Sequence, residues 1–257
     1  MRHNSNALIV VAKRPMPGKT KTRLSPPLTP ELSSALYECF LFDTLDQMRQ
    51  VDEVQRVIAY LDEPDYFQRL APDFELVPQR GHDLGVRLDH ALTDYLSRGY
   101  KRVVIMDSDS PTLPPSHLTQ AFTALADGAD VTIGPCDDGG YYLIGIKKPA
   151  PRLLREVQMS TPTVAADTIA LAEQEGLRVN LLPTWYDVDD AASLRRLIKE
   201  VESLKSNVAI HTRKFLKQNS IHRLVTSYLK NVTLSDSEGS LPRQVRDSSV
   251  ATNAPSE

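Results

Sequence analysis

Asp107 and Asp109, one residue apart at the end of the apolar run RVVIMD (102–107), have the spacing of two carboxylates that can share one hard cation. Oxygen donors of this kind suit Mg²⁺ or Mn²⁺ and leave coordination positions open for phosphate oxygens. The bland alternative is an Asx or Ser turn ahead of Pro111. Asp187 and Asp189, in TWYDVDDAASL (184–194), can add a more distant ligand, although Asp189 or Asp190 must also cap the helix that follows. The complementary charge lies in AKRPMPGKTKTRL (12–24), where Lys13, Arg14, Lys19, Lys21 and Arg23 place five cations within eleven residues. Such a Gly/Pro-shaped loop suits a phosphate chain, because Arg binds phosphate as a fork and Lys as a point charge. A solvated charge run is the competing reading. Gly18-Lys19-Thr20 is no Walker A loop, since position 13, where its first glycine belongs, is Lys. In PCDDGGYYLIG (135–145), Gly139 and Gly140 allow close approach of a ligand beside Asp137 and Asp138, or simply a hairpin turn.

Positioning these loops requires a regular frame, and the chain reads as alternating strands and helices. ALIVVA (7–12) is short, apolar and β-branched, the pattern of a parallel strand covered on both faces. Five prolines between Lys13 and Pro30 exclude regular structure there. Thr29 and Pro30 then predict the cap and first residue of a helix reaching about Arg49. Strands are expected at 54–60, 74–78, 102–107, 130–135, 141–146 and in RVNLLP. Helices are expected near 64–70, after Asp83, from a cap at Ser116 to about Asp127, from Thr163 to Glu175, and from Asp189 or Asp190 to Leu204. This alternation specifies an α/β three-layer sandwich with a mainly parallel sheet, whose ligands bind at the carboxyl ends of the strands. Each charged motif follows a strand.

Composition narrows the function classes. Apolar residues make up 41% and charged residues 25% of the 257, values of a chain with a real core. Cys39 and Cys136 are too few for a disulfide framework and lack paired metal spacing, which points to a reducing cytoplasm. No apolar run is long enough for an export signal or a membrane span. Residues 205–257 carry +4 and residues 1–204 carry −7, a balance that argues against nucleic acid as the partner of the core. The expected organisation is a catalytic domain over 1–204, a helical extension over 205–230 with one helix from Ile210 to Lys230, and a polar, unpacked tail over 231–257.

The ordered series KRPMPGKTKTRL, QRGHDLGVRL, MDSDSPTLP, DDGGYYLIG, STPTVAADT and YDVDDAASL closely resembles the bacterial radical-SAM and selenodomain-associated transferases, the arsenosugar-biosynthesis glycosyltransferase type. HTRKFL (211–216) is similar to that family's C-terminal motif. A more distant likeness, in Lys-Pro followed by Lys-Ser/Thr-Arg-Leu, is to 2-phospholactate guanylyltransferase, and the molybdenum-cofactor nucleotidyltransferases share the layout. The resemblance implies a GT-A type nucleotide-diphospho-sugar transferase fold. It also implies a divalent metal, Mg²⁺ or Mn²⁺, held by Asp109, with Asp107, Asp187 and Asp189 as further candidates. Lys13, Lys19, Thr20 and Arg23 look like phosphate contacts. Gln79 and Gly81 occupy the position from which related nucleotidyltransferases read the base, and Asp138 is the acceptor-side carboxylate. One departure is informative: the family's Gly-Ser/Thr-Asp-Cys-Pro is Asp107-Ser108-Asp109-Ser110-Pro111 here, which aligns the family aspartate with Asp109.

No Ser/His/Asp triad and no nucleophilic cysteine is indicated, so transfer is expected by direct displacement, with Asp109, Asp138, Lys19 and Arg23 as the catalytic group. Two enzymatic readings stand: glycosyl transfer from a nucleotide-diphospho-sugar to a small-molecule acceptor, or nucleotidyl transfer with release of pyrophosphate. A nucleotide-binding regulatory module is the third.

Overall fold

The computed structural model describes residues 5–237. Its frame is one seven-stranded sheet: β1 (Asn6–Ala12), β2 (Val54–Tyr60), β3 (Glu75–Pro78), β4 (Arg102–Met106), β5 (Val131–Pro135), β6 (Tyr141–Ile146) and β7 (Val179–Leu181). The order is β3-β2-β1-β4-β6-β5-β7, and β6 alone runs against its neighbours β4 and β5. β1 sits in the middle, paired in parallel with β2 and β4. The fold is therefore the expected α/β sandwich with a mostly parallel sheet.

Strand alternation divides the core into two layers. Leu8, Val10 and Ala12 of β1 and Val104 and Met106 of β4 join the layer under α1 (Pro30–Arg49), α2 (Pro64–Leu70) and α4 (Pro115–Ala126). Ala7 and Ile9, with Val103 and Ile105, join the opposite layer under α3 (Leu84–Ser97), α5 (Arg152–Arg155) and α6 (Val164–Gln174). A third cluster links the start of α1 to α7 (Ala191–Ser203), α8 (Ile210–Gln218) and α9 (Ile221–Ser237).

The predicted caps hold at three helices. The Leu32 N–H donates to Thr29 Oγ1 at 3.3 Å, the Val86 N–H to Asp83 at 2.8 Å, and the Ser193 N–H to Asp190 at 2.8 Å. Ser116 does not cap α4. Pro115 is already its first residue, where a fixed φ is favourable and the missing N–H costs nothing. The single helix expected over 210–230 is two, broken at Asn219 and Ser220, with Ser220 at φ 51°. Residues 231–237, expected to be unpacked, continue α9 as helix; the rest of that predicted tail lies outside the described residues. Among the described residues no helix is long and apolar enough to cross a membrane.

Because β5 runs parallel to β4, the loops after β1, β4 and β7 and the β5–β6 turn all emerge at one edge of the sheet. The Val188 N–H donates to the Asp109 carbonyl at 3.0 Å, and the Asp137 N–H to the Trp185 carbonyl at 3.0 Å, tying three of these loops together.

Candidate functional site

The loop after β1 folds around one buried hydroxyl. Thr20 Oγ1 donates to the Met16 carbonyl at 3.0 Å and accepts from the Met16 N–H at 3.2 Å, while the N–H groups of Lys19 and Thr20 also reach that carbonyl. Gly18, at φ 71°, turns the chain between them. Thr20 is thus 1% exposed and engaged inside its own loop, whereas Lys13, Lys19 and Arg23 remain exposed.

Lys21 points the other way. It takes a left-handed backbone conformation (φ 49°, ψ 44°), and its ammonium lies 2.7 Å from both Asp109 Oδ1 and Asp189 Oδ1, with a side chain 6% exposed. Burial works against its charge, but the two carboxylates outweigh that cost and raise its pKa above the ordinary lysine value.

Among the described residues Asp107 and Asp187 form no ion pair of this kind, and Lys21 acts on them only as a more distant charge. Burial, then the charges of Asp187 and Asp109, hold the Asp107 acid well above the usual carboxylate range. Burial and Asp109 likewise raise Asp187. Asp187 Oδ1 accepts from the Cys136 thiol at 3.1 Å, and Ser110 Oγ lies 3.1 Å from the same oxygen and 3.0 Å from the Tyr186 carbonyl. The Asp109 N–H donates to Asp107 at 3.1 Å, an Asx-type contact made by Asp107 rather than a turn by Asp109 or Ser110 ahead of Pro111, within the cluster of carboxylates. Burial, followed by Asp187 and Asp107, pushes the Cys136 thiol far up, which leaves it a neutral donor rather than a nucleophile.

Two cavities open on this cluster. One, of about 520 Å³, is bordered by Lys13, Lys19, Lys21, Arg23 and Arg87, with Asp107, Asp109 and Asp189 on its floor. The other, of about 660 Å³, has apolar walls from Leu84, Leu88, Tyr141, Met159 and Val164, and carries Asp107, Asp109, Asp138 and Asp187. Arg23, Asp107 and Asp109 border both.

Lys13, Lys19 and Arg23 therefore stand around one cavity, as their spacing suggested. Gln79 borders it too, but its Nε2 donates to the carbonyls of Ala59 at 2.8 Å and Ala12 at 3.3 Å, which ties the strand ends together. Gly81 borders neither of these cavities; its carbonyl accepts from Arg87 Nε at 3.0 Å. Asp138 is exposed beside the second cavity and accepts the Gly140 N–H at 2.9 Å through one carboxylate oxygen. Asp137 is bound to Arg196. The residues that the motifs did not single out are Lys21, counted only among the five cations, and Thr22 and Arg87, all of which border the first cavity. The signal for the first two was the Lys-Thr-Arg-Leu run at 21–24, one step beyond the Gly-Lys-Thr that drew attention; Arg87 stood in QRGHDLGVRL.

A further gathering of possible ligand atoms, Asp43, Asp46 and His211, serves the architecture. The Asp43 carboxylate accepts the N–H groups of His211 at 3.0 Å and Thr212 at 2.8 Å, capping α8 from α1. Arg213 donates to the carbonyls of Leu204 at 3.3 Å and Lys205 at 3.1 Å. The HTRKFL segment therefore docks the C-terminal helices.

The family model DUF2064, described as uncharacterized protein conserved in bacteria, matches residues 44–161. A crystal structure of a candidate nucleotide-diphospho-sugar transferase from Desulfovibrio desulfuricans G20 is 30% identical. The match covers 88% of this chain and 99% of that one, with a TM-score of 0.81. Two more distant structures share the fold alone. CMP:2-keto-3-deoxy-manno-octonic acid synthetase complexed with CTP is 13% identical over 77% of this chain and 99% of that one, TM-score 0.51. A cytidylyltransferase from Leptospira borgpetersenii serovar Hardjo-bovis is 13% identical over 87% and 97%, TM-score 0.53. No curated protein matches the sequence.

Proposed function

The chain belongs to the DUF2064 family and has the fold of nucleotide-diphospho-sugar transferases, and from that premise we propose that it is a glycosyltransferase moving a sugar from a nucleotide diphosphate to a small-molecule acceptor. The observation that carries this reading is the pair of unlike cavities meeting at Asp107 and Asp109. One is cationic and suits a diphosphate; the other is apolar, edged with carboxylates, and suits an uncharged reactant.

In this reading Lys19 and Arg23 hold the diphosphate, assisted by Lys13 and Arg87. Lys21 orients Asp109 and Asp189 through its two 2.7 Å contacts. Asp107 and Asp187 are hard oxygen donors raised first by burial and then by the neighbouring carboxylates, and together they would suit a divalent cation. The carboxylate favoured by the resemblance, Asp109, would join them only by sharing its charge with Lys21. Mg²⁺ or Mn²⁺, when bound there, supplies charge neutralisation at the leaving phosphate. The acceptor oxygen forms its bond to the sugar's anomeric carbon, the bond from that carbon to the diphosphate oxygen breaks, and the acceptor proton passes to the Asp138 oxygen not held by Gly140. Alignment of the two reactants and stabilisation of the leaving charge supply the rate, with no covalent enzyme intermediate. Thr20 supports the phosphate loop from within, Gln79 supports the cavity wall, and the Gly81 carbonyl holds Arg87 from outside it.

A second reading, nucleotidyl transfer, is favoured by the number of cations: Lys13, Lys19, Arg23 and Arg87 around one cavity, beside the aspartate-paired Lys21, suit a triphosphate as well as a diphosphate. Incubation with Mg²⁺ or Mn²⁺ and a panel of nucleotide sugars and nucleoside triphosphates separates the two. Release of nucleoside diphosphate supports glycosyl transfer, and release of pyrophosphate supports nucleotidyl transfer. Nucleotide binding without either product would support the non-catalytic reading.

A further inference from the structure

We infer that the second cavity takes a non-anionic hydroxyl compound with an apolar, ring-sized body, and that it selects against phosphorylated or carboxylated acceptors. The inference rests on the glycosyl-transfer reading only in calling the occupant an acceptor. Its basis is the unequal distribution of charge across one continuous site. The first cavity has five cationic side chains against three aspartates. The second has Arg23 alone against Asp107, Asp109, Asp138 and Asp187. Lys21 is already shared between Asp109 and Asp189, so it offers no surplus charge to an anion on the far side. An anionic group placed here would leave water and find Arg23, which the first cavity shares, as its one cationic neighbour among the residues bordering this cavity, against four aspartates.

The walls point the same way. Tyr141 borders the cavity and donates its hydroxyl to Met159 Sδ at 3.5 Å, so that hydroxyl is already engaged. Thr161 Oγ1 is committed to the Gln158 carbonyl at 3.1 Å. Leu88, Val164 and Met159 complete a surface that rewards apolar area. The wall is also preformed. A Cβ at Gly139 (φ 90°) would stand 1.7 Å from the Pro162 carbonyl oxygen, and the Ala165 N–H donates to the Gly139 carbonyl at 3.0 Å. The glycine thus locks the carboxylate-bearing turn against the 158–163 segment, and the occupant meets a rigid apolar face opposite the aspartates.

The test uses the full chain, ligand-observed saturation-transfer NMR, and two probes of matched size, 2-phenylethanol and phenyl phosphate, with magnesium pyrophosphate as occupant of the first cavity. The expected result is saturable binding of 2-phenylethanol that persists with pyrophosphate present. It should weaken about tenfold in Met159→Glu, which sets a carboxylate in the apolar wall, and stay about the same in Met159→Leu. Phenyl phosphate should be displaced by pyrophosphate and be indifferent to Met159→Glu. Absence of 2-phenylethanol binding would overturn the inference. So would phenyl phosphate that resists pyrophosphate and is lost in Met159→Glu. If the probe pattern holds while no nucleotide sugar is turned over, the cavity assignment stands and the glycosyl-transfer reading falls.

Discussion

Replacing Asp187 with Asn should make the metal-free protein more stable while removing its divalent-dependent activity. Asp187, which follows β7 and meets Cys136 and Ser110, has its acid raised to about 6 by burial and by the Asp109 charge. The unfolded chain would titrate it near 4. A carboxyl whose pKa rises on folding favours the fold below the unfolded value and opposes it as pH climbs through the folded one. At neutral pH the charged form therefore costs the native state up to about 3 kcal/mol, taking roughly two units at 1.36 kcal/mol each. Part of that belongs jointly to Asp109, so a gain of about 1 to 3 kcal/mol is expected on neutralisation, or about 3 to 9 °C in Tm for a chain of this size. Asn keeps an acceptor at Oδ1, which retains the Cys136 and Ser110 contacts, so neither of those donors is orphaned. Thermal melts of wild type and variant in a chelator at pH 7.5 and pH 4.5 provide the assay. The variant's advantage should be present at the higher pH and shrink as the pH falls through 6 towards 4. Added Mg²⁺ or Mn²⁺ should raise the wild-type Tm at pH 7.5 and leave the variant unmoved. A less stable variant at pH 7.5, or an advantage equal at both pH values, would refute the reasoning.

Lys19→Ala with Arg23→Ala should weaken nucleotide binding by about 2 to 5 kcal/mol, since each charged hydrogen bond contributes about 1.5 to 3 and the two need not add. Titration calorimetry at two salt concentrations checks this, and ligand-free stability should hardly change because both side chains are exposed. Lys21→Met should cost about 1 to 3 kcal/mol of stability at neutral pH. That is below the usual loss for a broken buried pair, because Asp109 and Asp189 are 32% and 44% exposed and water screens them in part. The cost should fall as pH drops through the carboxylate range, as followed by denaturant unfolding. Gly139→Ala should destabilise by about 2 to 4 kcal/mol, combining left-handed strain with a clash against the Pro162 carbonyl, and chemical denaturation would report it. Thr20→Val should cost about 1 to 3 kcal/mol of stability by leaving the Met16 N–H unsatisfied, with nucleotide affinity changed less than in the Lys19 and Arg23 pair.

The elements that bring the site together were legible because their signals are local. An apolar β-branched run makes a buried strand wherever it is placed, and the caps at Thr29, Asp83 and Asp190 depend on residues three positions away. The same locality explains why every charged motif could be assigned to one edge of a sheet. What spacing could not separate was Lys19 from Lys21. Two residues apart on one loop, they look alike in sequence, yet one faces solvent and the other is buried between Asp109 and Asp189, the latter 168 residues away. That difference arises from a left-handed turn at Lys21 and from long-range packing of the β1, β4 and β7 loops. For the same reason the pinning of its own loop by Thr20, beside the cationic cavity it borders, could not be read from the motif. The insertion of β6 antiparallel between β4 and β5, and the division of the site into a cationic and an apolar cavity, are likewise tertiary. Charge and hydrophobicity are written residue by residue. Burial, which turns a row of aspartates into some paired with lysine and others left uncompensated, exists only once distant segments share one edge of the sheet.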